Sequence, residues 1–167
     1  MKNFNICVGI FLALGLSRFI PHPPNFTSLI ALSFYVPIIF GVRYLPIVII
    51  SFAITDIIIG YHTGTHWTWG SVLLIGLISI YLKKNIKFRL TGALLGATLF
   101  FIITNFGVWT SGIYGYSISG LVTCFTLAIP FFAYNAISTL FFSIIIETII
   151  QLSSVKSFIF KLANNKL

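Results

Sequence analysis

The sequence predicts an all-α integral membrane bundle of about six transmembrane helices, with both ends on the cytoplasmic side. Three observations carry that expectation: a composition too apolar for water, apolar runs of span length, and a one-sided distribution of basic residues. Hydrophobic residues make up 58% of the chain and charged residues 7%, whereas a soluble domain needs roughly a quarter charged residues to cover its surface. Lipid must therefore be the solvent for most of the chain. Crossing a hydrocarbon core about 30 Å thick takes roughly 20 helical residues. A length of 167 residues thus holds five or six spans as a single domain over 1–167, with no room for a separate soluble one.

Cut at charges, Pro pairs and Gly/Ser/Thr clusters, the apolar runs place spans near 4–20, 26–41, 44–60, 69–82, 91–110 and 134–152. The first run follows Lys2 without a small-x-small cleavage site, so it reads as a retained span. The second and fourth are short, which calls for local thinning or helices extending into neighbouring polar residues. Segment 111–133 opens on Ser111-Gly-Ile-Tyr-Gly-Tyr-Ser and runs to Pro130; it reads as an amphipathic or re-entrant piece.

Orientation follows from the basic residues, because short translocated loops lose Lys and Arg. With the N-terminus inside, nine of the ten fall in the cytoplasm: Lys2, Arg43, Lys83, Lys84, Lys87, Arg89, Lys156, Lys161 and Lys166; Arg18 falls outside. The net charge of +8 therefore reports topology, and nucleic acid is not expected as a partner. Tyr61, Trp67, Trp69 and Trp109 form the outer aromatic belt, Tyr44 and Tyr81 the inner one.

Most polar residues gather at the outer end. Arg18-Phe-Ile-Pro-His-Pro-Pro-Asn-Phe-Thr27 follows the first span, Asp56 to Trp69 carries two histidines and two tryptophans, and Thr104-Asn-Phe-Gly-Val-Trp109 closes the fifth. These segments are expected to line an outward-facing pocket with aromatic walls. Arg18 and Asp56, each about one turn inside the boundary, should form an ion pair or contact a ligand. The expected substrate-binding set is Arg18, His22, Asn25, Asp56, His62, His66, Trp67, Asn105, Trp109 and Tyr114. His62-x-x-x-His66 would place two ligands on one helical face, but Gly64 and its threonines argue for a loop, so no metal or other cofactor is expected. Cys7 and Cys124 stand alone in apolar runs and read as buried small hydrophobes.

Hydrolytic motifs are absent, and Asp56 and Glu147, near opposite faces, cannot act as an acid–base pair, so an enzyme is not expected. Glu147 reads as a partner for an inner-face Lys or Arg. Gly9, Ala13 and Ser17 form a flat strip on the first span suited to docking a partner, while Gly92 and Gly96 read as packing within the bundle.

Ser17-Arg-Phe-Ile-Pro-His-Pro-Pro-Asn-Phe-Thr27, Asp56-Ile-Ile-Ile-Gly60, Thr104-Asn-Phe-Gly-Val-Trp109 and Ala128-Ile-Pro-Phe-Phe132 resemble a family of uncharacterised prokaryotic membrane proteins regarded as transporters. In size and fold that family resembles the substrate-binding S components of energy-coupling factor vitamin transporters. The resemblance implies a six-helix bundle of the prokaryotic cytoplasmic membrane that takes up a vitamin or cofactor precursor from outside, partnered by a T subunit and an ATPase pair. Ala13-x-x-x-Ser17 matches only approximately the Ala-x-x-x-Ala pattern by which those components dock. Two other readings stay open: an assembly subunit of a larger membrane complex, and a membrane enzyme acting on lipid at the outer face.

Overall fold

In lipid a backbone amide finds no hydrogen-bond partner outside its own chain, so apolar runs of this length close their hydrogen bonds within helices. The computed structural model describes residues 2–61, 64–152 and 157, and its ordered elements are all helical. They are α1 (Lys2–Phe19), α2 (Leu29–Phe40), a 3-10 turn at Val42–Tyr44, α3 (Leu45–Ile59), α4 (Thr65–Ser79), α5 (Ile86–Thr110) and α6 (Ile118–Gln151). Val42–Ile59, Ile86–Thr110 and Ile118–Gln151 are long and apolar enough to cross a membrane; Asn3–Phe19 and Leu29–Phe40 are shorter apolar helices.

The polarity of the bundle is inverted relative to a water-soluble protein. Along α6 the buried positions include Asn135, Ser138, Thr139, Ser143 and Glu147, while Ile129, Phe131, Ile137, Phe141 and Ile144 are exposed. Polar groups turn inward to find partners, and large apolar groups turn outward. That is the arrangement of a bundle solvated by lipid.

α2 is apolar on every face and sits at the centre, with seven of its first eight residues buried beyond Ser28, from Leu29 to Val36, Leu32 being the exception. Around it α1 packs on α3, α3 on α4, α4 on α5 and α5 on α6. The ring does not close. α1 and α6 scarcely touch, and an apolar groove of about 510 Å³ lies between them, lined by Gly9, Ala13, Val36, Ile146 and Ile150 among others.

Close approach on the other side of α2 depends on glycine. A Cβ at Gly92 would lie 2.5 Å from the Phe34 ring, and one at Gly96 would lie 3.1 Å from Ile75. This pair therefore packs inside the bundle, as expected. Of the docking strip on α1, Gly9 and Ala13 are exposed, but Ser17 is engaged internally: its hydroxyl lies 2.8 Å from that of Ser28 and accepts from the Ser28 backbone N–H.

Two expectations about the helices are corrected. Segment 111–133 is mostly helix: beyond a short turn, Ser117 caps Gly120 N–H at 3.1 Å and starts a single helix that runs through Pro130 to Gln151. Pro130 lies inside this helix, on its exposed side, and a membrane helix tolerates the lost N–H. At 34 residues and about 1.5 Å per residue, α6 is about 51 Å long, more than the hydrocarbon core requires. Likewise α4 begins at Thr65 rather than near 69, so His66 stands on a helix and not in a loop.

At the end opposite the Arg18 cluster, Glu147 is buried and bidentate with Arg89, at 2.6 Å from Nε and 2.7 Å from Nη2. The Tyr35 hydroxyl donates to the same carboxylate at 2.9 Å. One acid thus ties α2, α5 and α6 together, and Arg89 is the basic partner of Glu147 that the sequence left unspecified.

Gly92→Ala is expected to destabilise the protein by about 1–3 kcal/mol through overpacking against Phe34. Gly9→Ala, with open space around it, should be neutral or gain up to about 1 kcal/mol of helix propensity. Unfolding of the two variants in detergent checks this; equal losses would refute the assigned packing.

Candidate functional site

An arginine and an aspartate one turn from a membrane boundary are too costly to leave unpaired, and here they meet. Arg18 in the last turn of α1 places Nη1 2.7 Å from Asp56 Oδ1 in the last turn of α3. The same nitrogen donates to Thr55 Oγ1 at 2.6 Å and to the Phe52 carbonyl at 3.3 Å. The guanidinium lies over the Phe52 ring, 4.5 Å from its centroid. The second Asp56 oxygen accepts from Trp69 Nε1 at 2.8 Å. Both carboxylate oxygens are therefore held, and α1, α3 and α4 are joined through them.

This pair forms one wall of a cavity of about 350 Å³ to which all six helices contribute. Phe52 and Ile59 come from α3, Thr68 from α4, Phe100 from α5, Leu29 and Ile30 from α2. The segment 20–28 supplies His22, Asn25 and Thr27 at the mouth. His22 Nδ1 lies 2.7 Å from the Pro23 carbonyl, which can only accept, so that nitrogen carries a proton. Asn25 holds a left-handed backbone at φ 61°, and its carbonyl accepts from Ser138 Oγ at 3.4 Å.

α6 supplies the residue that the sequence reading missed. Asn135 is 5% exposed and lines the cavity. Its Oδ1 accepts from Thr139 at 3.5 Å, while its amide nitrogen donates to no group among the described residues. A usable signal was present: Asn135, Ser138, Thr139, Ser143 and Glu147 recur at helical spacing in an apolar run. Taking residue 134 as the start of a span put Asn135 in an end turn, where a polar residue needs no explanation.

The expected site residues separate into groups. Arg18, His22, Asn25 and Asp56 converge on this cavity. His66 and Trp67 line a second one of about 390 Å³ between the start of α4 and the end of α5, together with Thr104, Gly107 and Ser111; Thr68 belongs to both walls. Trp67 packs so closely on Gly107 that no Cβ would fit there. Asn105, Trp109 and Tyr114 line neither cavity. The Asn105 amide donates back to the Phe101 carbonyl of its own helix at 2.7 Å. Trp109 lies beside Phe106 and Tyr116, with its indole N–H buried and unpaired. His62 falls outside the described residues.

The chain belongs to the family described as "Family of unknown function (DUF6580)", whose model matches residues 1–161. No curated protein and no solved structure matches the chain.

Arg18→Ala and Asp56→Ala are each expected to cost about 3 kcal/mol, because each strands the other charge in a buried setting. The double variant should lose at least about 1 kcal/mol less than the sum. Additive losses in a double-mutant cycle would mean that the pair contributes no coupling.

Proposed function

We propose that this member of the DUF6580 family is a substrate-binding uptake protein of energy-coupling factor S-component type, which captures a vitamin or cofactor precursor from the outer face of a prokaryotic cytoplasmic membrane. The observation that carries this reading is the cavity of about 350 Å³ lined by the Arg18–Asp56 ion pair and by Asn135, whose amide nitrogen donates to no group among the described residues. Polar side chains at membrane depth are costly to keep, so their convergence on a space of ligand size favours binding over packing.

In this reading Arg18 and Asn135 donate to the ligand, His22 and Asn25 guard its mouth, and Phe52 and Phe100 contact its apolar face. Asp56 and Trp69 hold the guanidinium in place. The bundle has six spans with both ends inside, so the cavity opens outward. A T subunit with an ATPase pair would supply the energy and dock near the exposed Gly9 and Ala13 strip, beside the open groove between α1 and α6. That groove also favours a second reading, an assembly subunit of a larger complex, in which a partner helix fills the groove and the cavity binds nothing.

Topology is tested with single-cysteine variants at Tyr61 and Lys84, in a background lacking Cys7 and Cys124. A membrane-impermeant maleimide added to intact cells should label position 61 and not position 84. Labelling of both from one side would remove the outward cavity.

Binding is tested by thermal stabilisation of the purified protein against a panel of vitamins and nucleobases. Stabilisation by a member of the panel is expected to fall at least tenfold in affinity, about 1.4 kcal/mol, in Asn135→Ala and Arg18→Ala. Trp109→Ala, outside the cavity, should leave it unchanged. No stabilisation across the panel, with recovery alongside other membrane subunits, would favour the assembly reading.

A further inference from the structure

The charges in the cavity are already balanced before any ligand enters. Arg18 and Asp56 neutralise one another at 2.7 Å, and Trp69 pins the remaining carboxylate oxygen at 2.8 Å. Asp56 is 3% exposed, and each of its carboxylate oxygens already has a donor. A ligand carboxylate beside Arg18 would put two anions on one cation in a setting of low dielectric, and a ligand ammonium beside Asp56 would meet the guanidinium.

What remains unpaired is donor capacity. Arg18 makes its hydrogen bonds through Nη1, and among the described residues its Nη2 and Nε donate to nothing. The amide nitrogen of Asn135, a residue 5% exposed, likewise donates to nothing among the described residues. The one carboxylate lining the cavity has its charge matched by Arg18, and His22, half-buried at the mouth, lies where water screens charge.

We infer that the ligand of this cavity is an uncharged molecule rich in hydrogen-bond acceptors, such as a carboxamide, lactam or carbonyl-bearing heterocycle, and that carboxylates and amines of the same shape are rejected. This deepens the uptake reading and rests on it. The acceptors face Arg18 and Asn135, which are positively polarised without leaving a net charge in the cavity. The ring or chain of the ligand lies against Ile30, Phe52 and Phe100. A site built to donate hydrogen bonds discriminates strongly, because an analogue without the acceptor leaves buried donors unpaired.

The test uses the full chain in detergent and matched triples on one- and two-ring aromatic cores, each with a carboxamide, a carboxylate and an aminomethyl member; nicotinamide, nicotinate and 3-(aminomethyl)pyridine form the smallest. In at least one triple the carboxamide should bind at least tenfold more tightly than either charged member. Asn135→Asp, which adds a negative charge to the balanced cavity, should shift the preference toward the aminomethyl member. Because that variant must fold in order to bind, its gain is independent of any loss of stability. A carboxylate or amine that binds as well as or better than its carboxamide overturns the inference and leaves the uptake reading standing. No binding by any triple or by the vitamin panel overturns the uptake reading, and this inference with it.

Discussion

Lipid offers no hydrogen bonds, and the architecture of this bundle follows from that constraint. Every polar side chain within a helix must find its partner inside the protein or at an end. The hydroxyls solve this locally: Ser33, Thr55, Ser71, Ser79, Thr98 and Thr104 each donate to a carbonyl three or four residues back on the same helix. The two acids cannot do so and are paired with arginines across helices. Arg18 with Asp56 joins α1 to α3, and Arg89 with Glu147 joins α5 to α6. The two pairs lie at opposite ends of the bundle, each with an aromatic donor, Trp69 or Tyr35, on the carboxylate. Both acidic residues of the chain are consumed in this way.

The two ends differ in what surrounds the pair. At Glu147 the carboxylate is closed off by a bidentate arginine and a fully buried tyrosine, a lock between three helices. At Asp56 the arginine uses one of its nitrogens and the neighbouring space stays open. The same chemistry therefore makes a structural clamp at one end and a recognition surface at the other. The difference comes from geometry rather than residue type: a guanidinium met along its Nε–Nη2 edge by a carboxylate is saturated there, whereas one met through Nη1 alone keeps its remaining donors.

Composition and run length sufficed for the helical class, the apolar surface and most helix positions, because lipid imposes one rule on every span. The Arg18–Asp56 contact was legible as well, since two charges so placed have few alternatives. Less visible was anything that depends on where a helix begins. Asn85 and Ser117 start α5 and α6 by capping, and in both cases the helix begins well before the apolar run suggests. Misplacing the start of α6 hid Asn135. The aromatic cluster at the end of α5 misled for a related reason: Trp109 and Asn105 belong to the expected end of α5, but the Asn105 amide turns back on Phe101 and Trp109 packs beside Tyr116. Membership of an end is readable from sequence, whereas membership of a cavity requires the rotation of each helix.

The mouth of the cavity depends on a segment that helix rules do not govern. Residues 20–28 carry Pro21, Pro23 and Pro24, which fix φ and remove backbone donors, so the segment cannot collapse into a helix and close the space beneath it. It is fastened to α1 and to α6, the Asn25 carbonyl accepting from Ser138 Oγ of α6. Ser28 binds Ser17 and the Ala13 carbonyl, which ties its far end to α1. Phe26 packs on Phe141 and Phe142, with ring centroids 5.9 Å and 6.3 Å apart, which ties its middle to α6. His22 precedes these anchors and Asn25 is one of them, and both line the cavity. A stiff strap fastened to α1 and α6 thus spans the side on which the helical ring is open and holds His22 and Asn25 on the lining of the cavity.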